Sequence, residues 1–168
     1  GALREITWRV LQLVLGDDAR DAVTATGKTL EDGRLCVRAY TSGEGAGPRL
    51  GAHCDSTLLT LLWTDGPGLQ VYAPTATGAA GDWTAAEVLQ NGVPSMVQPR
   101  ELEEEHWADV SLPWKEGPLL LTIGTGWLEA GLRPAAAGEQ PEVECAVLHR
   151  VAGSLERDRR SLPFLINL

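Results

Sequence analysis

Gly51-Ala52-His53-Cys54-Asp55-Ser56-Thr57-Leu58-Leu59-Thr60-Leu61-Leu62-Trp63 is the stretch from which the fold is read. Its second half, Leu58–Trp63, is apolar on both faces of a two-residue period, the signature of a strand buried on both sides. Working outward, similar short runs recur between Gly, Pro and Asp: Arg34–Tyr40 after the Asp32-Gly33 turn, Leu69–Tyr72, Leu119–Ile123, Val143–Val151 and Leu162–Ile166. Many short strands with turn signals between them predict a mainly β sandwich, jelly roll or barrel, not a βαβ fold. Upstream, Leu3, Ile6, Val10, Leu13 and Val14 recur at helical spacing, with Trp8, Leu11 and Leu15 widening the face and Gly16 as the stop. Residues 2–15 therefore form a helix expected to pack outside the β body, and residues 17–30 carry no firm period. Residues 1–30 then serve as a helical lead-in to a single domain spanning 1–168. Residues 74–105 break the rhythm and read as a surface insertion, with Trp83–Asn91 as a short helix.

The composition narrows the partners. Of 168 residues, 14 are Lys or Arg and 23 are Asp or Glu, a net charge of −9, and no basic stripe offers a nucleic acid its counter-charge. Hydrophobic residues make up 43 % of the chain, enough for a real core. The apolar runs are too short to cross a bilayer, and no secretory leader is expected. Cys36, Cys54 and Cys145 match neither a zinc knuckle nor an even disulfide framework, so three reduced thiols in a cytoplasmic protein are expected.

Chemistry concentrates at three places. His53 and Asp55 stand two apart, so on a strand end both side chains share a face and can converge on one ion, while Cys54 points away. Two other histidines could join them. His149 lies in a strand-like run, whereas His106 follows the acidic run Glu101–Glu105, which reads as a solvated loop, so His149 fits and His106 is expected to be exposed. Two imidazoles and one carboxylate make a facial triad for non-haem Fe(II), with three coordination positions left open. Arg159 and Ser161 form a second pair at the same spacing, a guanidinium fork beside a hydroxyl, suited to a buried carboxylate. Gly43-Glu44-Gly45-Ala46-Gly47 lacks the Lys-Ser/Thr ending of a phosphate loop and reads as a turn. Trp63, Trp107 and Trp114 read as core or rim.

Taken in order, His53-x-Asp55 with Leu-Thr-Leu-Leu after it, Gly68-Leu69-Gln70-Val71, His149-Arg150-Val151 and Arg159-x-Ser161-Leu162-Pro163-Phe164 resemble the C-terminal half of the isopenicillin N synthase-like Fe(II)/2-oxoglutarate-dependent dioxygenases. Trp107–Val110 and Gly117–Glu129 look like the strand and Gly-Asp turn that precede the family's distal histidine. The resemblance implies a double-stranded β-helix (jelly roll) holding Fe(II) through His53, Asp55 and His149. It also implies that Arg159 and Ser161 hold the distal carboxylate of 2-oxoglutarate, joined by Tyr40 from an Asn-x-Tyr motif. The activity implied is oxidation of a small organic substrate by O2, with release of succinate and CO2. Arg38 stands where the family has Asn, and Thr125 where its turn has Asp. The family's long N-terminal region has no counterpart in the short stretch before His53, and a second insertion lies near Pro134–Pro141. Two other readings stay open: a non-catalytic module retaining the ligands, or a family oxidase whose Arg159 and Ser161 hold a substrate carboxylate.

Overall fold

The computed structural model describes residues 2–31, 33–72, 89–90, 93–94, 104–132 and 146–168. It is mainly β, with antiparallel sheets and a few helices. Helices α1 (Ala2–Leu15) and α2 (Ala19–Ala25) come first, and α3 (Thr125–Glu129) lies late in the chain. The strands are β1 (Arg34–Leu35), β2 (Arg38–Tyr40), β3 (Leu50–His53), β4 (Leu59–Thr64), β5 (Leu69–Tyr72), β6 (Leu89–Gln90), β7 (Val93–Pro94), β8 (Trp107–Asp109), β9 (Leu119–Ile123), β10 (His149–Val151) and β11 (Arg159–Ile166). A larger sheet runs β1-β11-β4-β9, with β2 on the same edge of β11 as β1. A smaller sheet runs β3-β10-β5-β8, and β6 pairs with β7. Among the described residues no helix is long and apolar enough to cross a membrane.

The larger sheet separates two environments. Along β11, Phe164 and Ile166 join the apolar cluster of Leu11, Leu15, Ala19, Val23 and Trp127 on the helical side. Arg159, Ser161, Pro163 and Leu165, on the alternate positions, line a cavity on the other side. Strand β4 divides in the same way: Leu59 and Leu61 belong to the helical cluster, and Thr60 and Leu62 to the cavity. That is why this stretch is apolar on both faces. Leu11, Leu59 and Ile166 are fully buried, and each contributes about 1.5–3 kcal/mol by leaving water.

Several expectations are corrected. The buried line of α1 runs through Thr7, Val10, Leu11 and Leu15, as expected for the last three, whereas Ile6 and Leu13 are exposed. A broad apolar helix surface does not say which of its edges meets the sheet. Residues 17–30 contain α2, whose buried residues are only Ala19 and Val23, one turn apart and too few to show a period. Arg34–Tyr40 is broken into β1 and β2 opposite Pro163. Pro163 turns its carbonyl to Cys36 N (2.9 Å) but has no amide hydrogen to return, so the ladder is interrupted there. Of Val143–Val151, residues 149–151 are strand and 146–148 are not, Val147 N being drawn to Ile123 O on the larger sheet (3.0 Å); residues 143–145, including Cys145, lie outside the described residues. The expected helix Trp83–Asn91 is contradicted at Leu89–Gln90, which pair with Val93–Pro94 as strands. The rest of that helix, most of 74–105 and the segment near Pro134–Pro141 lie outside the described residues.

Candidate metal centre

Strands β3 and β10 are neighbours in the smaller sheet, in a register that sets His149 opposite His53. The two rings lie 4.3 Å apart between centroids. Each imidazole bonds through Nδ1 to a carbonyl two residues back in its own chain, His53 to Gly51 O (2.8 Å) and His149 to Val147 O (3.0 Å). A carbonyl only accepts, so Nδ1 carries a proton in both rings, and Nε2 is the nitrogen left to bind an ion. Both Nε2 atoms face Asp55 Oδ1, at 3.6 Å from His53 and 4.0 Å from His149. Ligand atoms of these three residues all lie within 4.8 Å of one another.

Asp55 does not share the strand with His53, as its spacing predicted. Strand β3 ends at His53, and Asp55 sits in the turn leading to β4. Main-chain bonds set that turn: Thr125 N donates to Asp55 O (2.8 Å) and Gly126 N to Thr57 O (3.0 Å). Gly124 must be glycine, because a Cβ there would collide with the Thr57 carbonyl and come within 2.7 Å of Asp55 O. Thr125, which stands where an Asp was expected, thus contributes its backbone to the turn. Cys54 points away, as expected, and is buried with Ala52 and Leu148.

Arg159, Ser161 and Tyr40 line the same cavity, of about 110 Å³. Registers of β2 with β11 set Tyr40 opposite Arg159 and Arg38 opposite Ser161, so these four side chains share one face. Arg159 is 2 % exposed, its guanidinium 5.4 Å from the centre of the Tyr40 ring. Its Nε reaches Gly66 O at 3.4 Å, but Nη1 has no hydrogen-bond partner among the described residues. Burial lowers the Arg159 pKa, and the nearby Tyr40 and Asp65 partly offset this. A buried guanidinium nitrogen without a partner is costly, and a carboxylate in the cavity would satisfy it. Between the two polar ends the lining is apolar, with Leu62, Val71, Val151 and Leu165. Among the described residues, Asp55 is the only carboxylate that lines the cavity.

The His149 pKa is pushed below its ordinary 6.5, chiefly by burial and then by His53, against the opposing pull of Asp55 and Val147 O. The unfolded chain therefore takes up a proton at His149 before the folded chain does. Stability from this residue is present above about 6.5 and is lost as pH falls from there through the lowered folded value. Chemical denaturation of the metal-free protein at a series of pH values should show that slope, and His149→Gln should flatten it.

His106 is not the exposed loop residue expected. It ends a 3-10 turn, Glu104–His106, is half-buried, and meets the Tyr72 hydroxyl through Nδ1 at 3.1 Å. Nor is the acidic run wholly free in solvent. Arg150 grips Glu104 with both Nη atoms (2.7 and 2.6 Å), stacks over Trp107 at 4.2 Å and bonds Gln70, which lowers the Glu104 pKa. Glu101–Glu103 lie outside the described residues. The residue passed over by sequence reasoning is Thr60, whose hydroxyl bonds Asp55 Oδ2 at 2.7 Å. Its signal was partly there: a hydroxyl inside the apolar run Leu58–Trp63 needs an acceptor, and Asp55 and Asp65 flank it at equal spacing in sequence. Set against known proteins, the chain matches no protein-family model, and no curated protein matches it.

Proposed function

We propose that the chain is an Fe(II)- and 2-oxoglutarate-dependent oxygenase acting on a small organic substrate. The observation that carries this reading is the pairing, in one small cavity, of the His53–Asp55–His149 cluster with the unsatisfied Arg159. The donor set fits a divalent first-row ion: two neutral imidazole nitrogens and one carboxylate oxygen, with both Nε2 atoms already turned inward. The orphaned Nη1 fits one carboxylate of a diacid. Ser161 and Tyr40 add hydroxyls on the same face. The strand orders of the two sheets support a double-stranded β-helix, or jelly roll, with the cavity between its sheets. The free thiol of Cys36 agrees with a reducing, cytoplasmic setting in which iron stays ferrous.

In this reading His53, Asp55 and His149 hold the iron, and Arg159 with Ser161 and Tyr40 holds the distal carboxylate of 2-oxoglutarate. The bound pair would supply O2 activation coupled to decarboxylation, giving succinate and CO2. The chain's own part is orientation. Carbonyl bonds lock both imidazoles, Thr60 steadies the carboxylate, and the apolar middle of the cavity keeps water from the bound acid.

The test is succinate formation. Protein loaded with Fe(II) and 2-oxoglutarate without air should show the weak visible charge-transfer band of the chelate, and admitting O2 with ascorbate should release succinate. Iron binding with neither band nor succinate would assign Arg159 and Ser161 to a substrate carboxylate. Absence of iron binding would leave a non-catalytic module.

A further inference from the structure

We propose that Thr60 is a positioning residue that restricts Asp55 to one-oxygen coordination; the assignment rests on the metal reading above. An ionised carboxylate only accepts hydrogen bonds, so in the 2.7 Å contact between Thr60 Oγ1 and Asp55 Oδ2 the hydroxyl is the donor. A hydroxyl has one hydrogen. The 2.9 Å contact between Thr60 and Thr57 must therefore be donated by Thr57. The order runs Thr57 to Thr60 to Asp55, and both threonines are buried, at 4 % and 3 % exposure, where water competes little for the carboxylate.

The two oxygens of Asp55 thereby differ. Oδ1 faces both imidazole Nε2 atoms, and Oδ2 is tied to β4, the strand paired on both sides by β11 and β9. For the carboxylate to chelate an ion it would have to turn Oδ2 toward the ion and give up a charge-assisted bond, leaving Thr60 only the neutral Thr57 hydroxyl to donate to. Held by one oxygen, the triad leaves three of six positions on the ion. A chelating Asp55 would leave two, too few for a bidentate 2-oxo acid and O2 together. Thr60 thus sets how many exogenous ligands the centre can take.

Anaerobic titration with Co(II), followed by its d–d absorption, tests this without turnover. Wild-type protein should bind one Co(II). Thr60→Val, which keeps the shape and removes the hydroxyl, should bind about 10–100-fold more weakly, and its Co(II) form should lose affinity for 2-oxoglutarate. Thr60→Ser should restore both. Wild-type affinity in Thr60→Val overturns the role of Thr60 while leaving the metal reading intact, whereas a wild-type protein that takes up no Co(II) overturns both. Should the Val variant not fold, infrared difference spectra of the wild-type protein answer instead. A wide separation of the Asp55 carboxylate stretches on Co(II) binding supports one-oxygen coordination, and the narrow separation of a chelating carboxylate overturns it.

Discussion

Asp55→Ala is expected to abolish Fe(II) binding and leave the fold in place. Asp55 is the only carboxylate among the described residues lining the cavity, so its loss removes the formal negative charge that faces the two imidazoles. Two neutral imidazoles then face a dication alone. The loss should exceed the about 10–100-fold that follows removal of a partner behind a ligand. The fold survives because the turn is set by the backbone: Asp55 O still accepts from Thr125 N, and Thr57 remains beside Thr60. Equilibrium dialysis against Fe(II) without oxygen, paired with thermal melting of the metal-free protein, checks both halves. An unchanged dissociation constant in a folded variant would end the assignment of this centre.

Arg159→Met is expected to have opposite effects on binding and on stability. Truncating one member of a buried, hydrogen-bonded charge pair costs about 2–5 kcal/mol, which is roughly 30- to 5,000-fold in affinity. Calorimetric titration of 2-oxoglutarate into the Co(II) form should show a loss of that order, with Co(II) affinity itself preserved. Without ligand, however, the cation is buried with Nη1 unsatisfied. Replacing it with an apolar side chain of similar length removes that penalty, so the ligand-free variant should melt at a higher temperature than the wild type. A lower melting temperature together with unaltered cosubstrate affinity would mean that Arg159 serves the fold alone.

Legibility in the sequence followed how local each signal was. Leu69–Tyr72 and Leu119–Ile123 are strands with the expected bounds because Gly68 and the Gly117-Pro118 pair mark their starts. Leu58–Trp63 became β4 with a shift of one residue. Strand β3 was missed as an element, since Leu50-Gly51-Ala52 has too little apolar bulk to announce one. Signals that depend on a distant partner were harder still. The break between β1 and β2 is imposed by Pro163 at the far end of the chain. The ion pair of Arg150 with Glu104 joins residues that no spacing rule relates. At the candidate site, residue types and faces could be read, because alternation places Arg159 with Ser161. That the His53–Asp55 pair spans a strand end and a turn could not be read, because the bonds from Thr125 and Gly126 that shape the turn come from another part of the chain.

The facing register of His53 and His149 carries a consequence for how such a chain can diversify. Ligand geometry is dictated by which rungs of the smaller sheet meet, not by how much polypeptide intervenes. Connections from β5 to β8 and from α3 to β10 can therefore lengthen, shorten or change composition while both imidazoles return to the same rung. The placing of the two imidazoles is thus encoded apart from those connections, which evolution, or an engineer, can rewrite without moving the rung.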